Sequence, residues 1–332
     1  MLPAAGVPFL THPLARARAA GVDHVILSTS YLAETFEAHF GDGSSLGLDL
    51  EYVVEPQPLG TGGGIRNVAD RVRGDDVLVF NADVLTGLDL GAITTAHRAS
   101  GADVTLHLTR VSDPRAFGLV PTDRDGRVTA FLEKPSSPTE IVTDQVNAGC
   151  YVFSKAALLR IPAGRPVSVE RETFPGLLAE GAQLRGYVDA SYWLDVGTPA
   201  AFVTGSCDLV TGVAPSPAVP GPPGPALVLP GARVAADAVL TGGTTVGAGA
   251  RVAAGARIEA SVLFDDAVVG ESASVRRTVL GRGASVGAGT VLDGAVLGDG
   301  ARVGAGNELL SGVRVWPGVE IPDHAVRFSS DR

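Results

Sequence analysis

Cysteine and lysine are almost missing from this chain of 332 residues. The two cysteines, Cys150 and Cys207, form no spaced framework, which excludes a disulfide scaffold and points to a reduced, cytoplasmic setting. The start, Met1-Leu2-Pro3-Ala4-Ala5-Gly6, has neither a basic region nor a sustained apolar stretch, so no targeting signal is expected. No run approaches the ~20 apolar residues of a membrane span, and no membrane partner is expected. Positive charge is short as well. A net charge of −10 argues against a nucleic-acid partner, while a local basic cleft for phosphates stays compatible with it. The histidines show no metal-ligand spacing, and His24 and His107, set beside aliphatics, read as structural residues. No nucleophile elbow is present, so Ser/His/Asp catalysis has no support. Lys134 and Lys155 are the only lysines, all other basic side chains being arginine. A lysine kept in such a background is notable because its compact ammonium binds phosphate differently from the planar guanidinium.

What is present, 45% hydrophobic and 19% charged residues, describes a globular protein long enough for two domains. Up to about residue 208, helix-like and strand-like runs alternate. Thr11 and Pro13 start a helix through Leu14 to Ala20 that Gly21 stops, and the apolar run Val25-Ile26-Leu27 follows. The pattern predicts helix over 32–40, strand over 48–54, helix over 65–72 and strand over 77–80, as in βαβ units with a largely parallel sheet. Residues 212–226, rich in proline and glycine, read as an extended linker.

Beyond the linker the period becomes six. Val228, Val234, Leu240, Val246, Val252 and Ile258 keep it, as do Leu297, Val303, Leu309, Val315 and Ile321, with phase slips in between around Val269/Val275 and Leu280/Val286/Leu292. Glycine often follows the apolar position, as at Gly247, Gly270, Gly281 and Gly287. A parallel β-helix of hexapeptide repeats needs this arrangement, one inward aliphatic per short face and small residues at the corners. The expected organisation is an α/β domain over 1–211, a linker over 212–226 and a β-helix over 227–328.

Two aspartates close strand-like runs in the first region. Asp83 ends Val77-Leu78-Val79-Phe80-Asn81-Ala82-Asp83, and Asp195 sits in Tyr192-Trp193-Leu194-Asp195-Val196-Gly197. Taken singly, each equally serves as a turn or helix-cap residue. In an open α/β sheet, ligands bind outside the carboxyl ends of the strands, so the two are expected to converge on one crevice. Between them lie Leu59-Gly60-Thr61-Gly62-Gly63-Gly64, Phe117-Gly118-Leu119-Val120, Glu133-Lys134-Pro135 and Asn147-Ala148-Gly149. The glycine-rich loop precedes an expected helix, so its bare backbone amides can approach a ligand closely. The stretch from Phe117 to Val128 reads as a hairpin around Asp125-Gly126.

This ordered set, over nearly the whole chain, resembles the sugar-1-phosphate nucleotidylyltransferases, and among them the bacterial mannose-1-phosphate guanylyltransferases. The resemblance implies a Rossmann-like, mostly parallel catalytic domain followed by a left-handed β-helix that mediates assembly, hence a homo-oligomer. It also implies guanylyl transfer from GTP to mannose 1-phosphate, with glucose 1-phosphate and UTP, dTTP or ATP as the alternative. A non-catalytic regulatory subunit that binds sugar nucleotide is the alternative from a different class. Carried onto matching positions, it assigns Gly60, Thr61 and Gly62 to the nucleotide base, and Gly118, Glu133, Asn147 and Glu170 to the sugar. Lys134 falls to the sugar-phosphate and α-phosphate region, and Asp83 and Asp195 to Mg²⁺. The family's opening Gly-Gly-x-Gly-Thr-Arg-Leu-x-Pro and the following Pro-Lys-Pro have no counterpart here. The expectation is therefore a start assigned too far downstream, a missing central strand and little transferase activity in the chain as given.

Overall fold

The run Val104–Arg110 is buried at every position but its last, and so takes the centre of a sheet covered on both faces. In the computed structural model, which describes residues 1–29, 33–132 and 137–327, this strand pairs in parallel with Leu184–Val188 and antiparallel with Gln145–Ser154. Gln145–Ser154 in turn pairs antiparallel with Asp76–Phe80. His24–Thr29 and Asp49–Val54 form a separate parallel pair, in register from His24 opposite Asp49 to Thr29 opposite Val54. Among the described residues, both His24–Thr29 and Asp76–Phe80 are paired on one side only, and both are half-buried along most of their length. The strand running against its neighbours is Gln145–Ser154, which carries Asn147-Ala148-Gly149. Leu106, Leu108, Tyr151, Phe153 and Phe174 build the core on one side of this sheet, and Leu88, Ile93 and Val152 belong to a second cluster. The Asp125-Gly126 turn forms as expected, with Gly126 at φ 78° and Asp123 N–H donating to Arg127 O at 2.9 Å. These elements belong to a compact unit, Leu14–Trp193.

The second compact unit comprises Met1–Pro13 and Leu194–Arg332. Its helix, Pro199–Thr211, starts with the Thr198 hydroxyl accepting from Ala201 N–H, has Pro199 in its first turn, and ends at Gly212 with φ 82°. The proline-rich segment after it is tied down, with Gly224 N–H donating to Val210 O at 3.0 Å and Ala214 buried. Three parallel sheets follow, two of six strands and one of five, stacked as a β-helix. Val246, Val252, Ile258, Val269, Val275, Val286, Leu297, Val303 and Leu309 point into its core, as the six-residue period expects. Val228, stacked on Val246 in the first coil, remains 47% exposed.

The phase slips have a geometric cause. Val228 pairs with Val246 eighteen positions on, but Val246 pairs with Leu263, Leu263 with Leu280 and Leu280 with Leu297 at steps of seventeen. The shortened corner is made by Ala260 at φ 44° and Arg277 at φ 47°, with Gly294 at φ 68° in the next coil. A hydroxyl ladder fills the same corner: Thr244 Oγ1 accepts from Ser261 N–H, Ser261 Oγ from Thr278 N–H and Thr278 Oγ1 from Ala295 N–H, at 3.1–3.3 Å. The corner glycines are needed for space, since a Cβ at Gly270 would stand 2.7 Å from Ala288 N.

Candidate active site

The glycine-rich stretch does not precede a helix; it is the first turn of one, Gly60–Asn67, and the predicted helix over 65–72 is displaced accordingly. The cause is the segment packed against it. Val167 O accepts from Gly62 N–H at 2.8 Å and Gly63 N–H at 3.3 Å, while Val167 N–H donates to Leu59 O at 2.8 Å. A Cβ at Gly62 would meet Val167 Cγ1 at 2.9 Å, and one at Gly63 would meet Arg165 O at 2.8 Å, so side chains are excluded there. Two of the amides expected to be bare are therefore occupied. Gly60 and Thr61, at the exposed N-terminal end, are the part of the turn that faces outward.

Thr61 ties this helix to the next element, its Oγ1 accepting from Val169 N–H at 3.1 Å. Val169–Thr173 is a single π-helical turn, a geometry that recurs at functional sites. Ser168 caps it by accepting from Arg171 N–H, and Glu172 returns the contact by accepting from Ser168 N–H at 3.2 Å. Within the turn, Glu170 Oε2 accepts from Ser168 Oγ at 3.2 Å, and Oε1 accepts from Asn147 Nδ2 at 3.3 Å and Tyr151 O–H at 3.5 Å. Asn147 N–H donates to Gly118 O at 3.1 Å. Thr61, Gly118, Asn147 and Glu170 are thus brought into one hydrogen-bonded cluster.

The strand carrying Asn147 is bulged. Leu106 faces Tyr151 and Leu108 faces Asn147, with Gly149 at φ 76° in between. Asn81 N–H donates to Gly149 O at 2.8 Å, and a Cβ on Gly149 would stand 2.9 Å from Asn81 Nδ2. Only glycine satisfies both demands. This contact links the bulge to the turn that carries Asp83. Trp193 Nε1–H donates to Ala148 O at 3.0 Å, and its ring meets Phe117 edge-on at 5.4 Å. Near the carboxyl ends of the parallel pair Val104–Arg110 and Leu184–Val188 lies a cleft of about 400 Å³ lined by Thr109, Arg110, Asp189, Ser191 and Trp193.

Asp83 and Asp195 are both exposed residues; Asp195 Oδ1 accepts from Gly197 N–H at 2.8 Å. They fall in different compact units, Asp83 in Leu14–Trp193 and Asp195 in the other. Among the described residues no group of three or more His, Cys, Asp or Glu side chains is gathered as for a metal. Glu133 and Lys134 lie outside the described residues. The other lysine has a structural role, Lys155 Nζ donating to Val72 O at 3.1 Å.

Burial, and after it the Glu170 charge, raises the Tyr151 hydroxyl's pKa, so it remains a protonated donor. His107, 1% exposed, is lowered to about 4 by burial despite Asp189 nearby, and is neutral near pH 7. Sequence reasoning missed Tyr151, Ser168 and the Val167 carbonyl as parts of this cluster. Asn147 and Tyr151, four apart on a strand, offered one signal, because even spacing places side chains on one face.

The nucleotidyl transferase family matches residues 1–212, and the family described as GMPPB C-terminal domain matches residues 223–327. A mannose-1-phosphate guanylyltransferase of Mycobacterium tuberculosis is 60% identical over the full chain, which spans 92% of that protein. The mannose-1-phosphate guanylyltransferase catalytic subunit beta of Danio rerio is 35% identical over 60% of this chain, which spans 55% of that protein. The crystal structure of HddC from Yersinia pseudotuberculosis shares the fold, with a TM-score of 0.54 at 24% identity over 62% of this chain and 87% of its own. With most of its length matched in this way, and with a relative of 60% identity along all of it, the chain belongs to the nucleotidyl transferase family.

Proposed function

We propose that the chain transfers a guanylyl group from GTP to mannose 1-phosphate, forming GDP-mannose and pyrophosphate. The observation that carries this reading is the continuous hydrogen-bonded cluster from Thr61 through Val169 and Glu170 to Asn147 and Gly118. It joins the helix assigned to the nucleotide with the residues assigned to the sugar. The name and identity of the Mycobacterium tuberculosis relative support the choice of substrates.

In this reading an oxygen of mannose 1-phosphate attacks the α-phosphorus of GTP, the bond to the β-phosphate oxygen breaks, and pyrophosphate leaves. Joining two anions demands alignment and charge neutralisation more than covalent help. Gly60 and Thr61, both exposed residues, sit at a helix N-terminus, where the nucleotide can be met by backbone donors. Glu170 accepts from sugar hydroxyls, Gly118 and Glu133 contact the sugar, and Lys134 neutralises phosphate. Asp83 and Asp195 are the residues that would hold Mg²⁺. Aspartate carboxylates are fitting donors for that ion, which takes one or two carboxylates and completes its shell with water and substrate oxygens. Mg²⁺ would supply charge neutralisation at the reacting phosphates. We further assign the catalytic domain to 1–211, the linker to 212–226 and the β-helix to 227–328. Assembly as a homo-oligomer in the cytoplasm completes the reading; no helix among the described residues is long and apolar enough to cross a membrane.

The test is a panel of GTP, UTP, dTTP and ATP against mannose 1-phosphate and glucose 1-phosphate. It is run on this chain and on a version preceded by the family's glycine-rich head. GDP-mannose as the favoured product is the expected outcome. Preference for any other pair, or no nucleotide sugar from either version, contradicts the reading.

A further inference from the structure

The antiparallel hairpin of Pro3–Ala4 and Val7–Pro8 cannot hold itself together. Its strands are two residues long, paired Pro3 to Pro8 and Ala4 to Val7, and the prolines have no N–H to give to the ladder. The turn between them, Ala5-Gly6 with φ 46° and 83°, needs a left-handed alanine, which is itself unfavourable. Ala4 and Ala5 are nevertheless fully buried, and the cover comes from the other end of the sequence. A Cβ on Gly6 would stand 2.8 Å from Leu229 Cδ2 and 3.5 Å from Leu227 Cδ2, so the turn lies against the first coil. The strand Pro3–Ala4 also packs against the helix Pro199–Thr211. His12, 2% exposed and edge-on to Phe9 at 6.3 Å, closes the arrangement. Its Nε2 donates to Ala4 O at 3.1 Å, and its Nδ1 meets the Ser216 hydroxyl at 2.8 Å. A carbonyl can only accept, so Nε2 carries a hydrogen, and the ring bridges the hairpin to the proline-rich segment.

We propose that Met1–Pro13 is a strap of the β-helix, latched by His12 on Ser216, through which the coil unit holds the α/β region by both of its ends. The division of the chain supports this. Leu14–Trp193 is one uninterrupted stretch, and the residues flanking it, Pro13 and Leu194, both belong to the unit of the coils. The α/β region is thus an insertion, entered through the strap and left at Leu194. Holding both ends of a segment removes chain freedom from its opened states. The helix Thr11–Ala19 starts inside the strap, so the order of its first turn depends on the latch. The proline-rich segment 212–226 then does more than link, because it presents Ser216 to His12.

The experiment is hydrogen exchange read by mass spectrometry on the wild-type chain, H12A, S216A, the H12A/S216A double variant and V252D. It needs no turnover, so its outcome is independent of the guanylyl-transfer reading. In the wild type, residues 2–9 are expected to be protected, the Phe9 N–H being bonded to Leu2 O at 2.9 Å. His12→Ala leaves the buried Ala4 carbonyl without this donor, and exchange over 2–9 and 11–19 should rise about tenfold or more while the coils over 246–309 stay unchanged. Ser216→Ala, at a half-buried position, should act in the same direction, and the double variant should add little to H12A, because both substitutions open one latch. Val252→Asp, in the second coil, should free residues 2–9 by opening the coils on which they rest. Three results overturn the proposal: residues 2–9 unprotected in the wild type, residues 2–9 unaffected in H12A and S216A, or residues 2–9 still protected once V252D has opened the coils. Exchange that rises equally in strap and coils in H12A and S216A also overturns it, since that is general loss of stability and not release of a latch.

Discussion

In the α/β region a hydrophobic cluster is built around aromatic rings, Tyr151, Phe153 and Phe174 lying 5.0–6.2 Å from one another, whereas among the described residues the hydrophobic cluster of the coils is built of valine, leucine, isoleucine and alanine. Polar burial differs in the same way. The coils bury threonine and serine in a ladder repeated every seventeen residues, and each rung satisfies the next coil's backbone. The α/β region buries Tyr151 in one aperiodic network that ends on the half-buried Glu170. A repeating solution stabilises a stack and leaves no unique spot. A single unrepeated one aims groups at a ligand, which is why the site is sought among the irregular contacts.

The largest effect is expected from breaking the stack. Val252→Asp or Val303→Asp places an unpaired charge among buried aliphatics and should cost on the order of 5 kcal/mol or more, seen in calorimetry as loss of cooperative coil melting. Unchanged melting in both variants contradicts the stacked coils. Next, Phe174→Ala removes a fully buried ring from the aromatic cluster and should cost about 3–5 kcal/mol in denaturant titration. A loss below about 1 kcal/mol would mean the cluster is not the centre of that core.

Acid should discriminate between the regions by somewhat less. The lowered value of His107, to about 4, and the lowered value of His97, both chiefly from burial, make the unfolded chain bind more protons from pH 6.5 downward. Stability of the α/β region is therefore full above pH 6.5 and falls as pH drops towards 4, by roughly 3 kcal/mol for His107. His97 and His107 both lie in the unit Leu14–Trp193, so melting of the coils should lack this component. His107→Asn flattens the α/β profile in that window if the cause is right; an unchanged slope argues against it. The smallest effect is a gain. Ala260→Gly relieves a left-handed alanine at the short corner, a cost of about 1–2 kcal/mol that glycine's own chain entropy of about 0.5–1 kcal/mol partly cancels. A rise of roughly 0.5–1 kcal/mol in stability is expected, and a loss would show that the corner depends on the Ala260 methyl group.

The same contrast explains what could be read from sequence. The coil was legible because each turn repeats its demand for an inward aliphatic, so Val246, Val252 and Val303 announce themselves by spacing. The shortened coils were legible only as slips, because nothing about Ala260 or Arg277 as residue types signals a positive φ. The hydroxyl ladder was not legible, since Thr244, Ser261 and Thr278 look like loop residues until stacking buries them. In the α/β region, Gly118, Asn147 and Glu170 could be picked from motif order, and the structure gathers them. The closure of the glycine turn on Val167 depends on a carbonyl more than 100 residues away, which no local pattern reveals. Tyr151 reads as an ordinary core aromatic until its hydroxyl is followed to Glu170.

One comparison of affinities bears on the whole site at once: calorimetric titration of GDP and of GDP-mannose into the wild-type chain and into E170Q. The expected result is that GDP-mannose binds the wild type more tightly than GDP does, and that E170Q weakens GDP-mannose by about tenfold while leaving GDP unchanged. Equal weakening of both ligands, or GDP-mannose binding that ignores the substitution, would contradict a single site in which the Gly60–Gly62 turn reads the nucleotide and Glu170 reads the sugar.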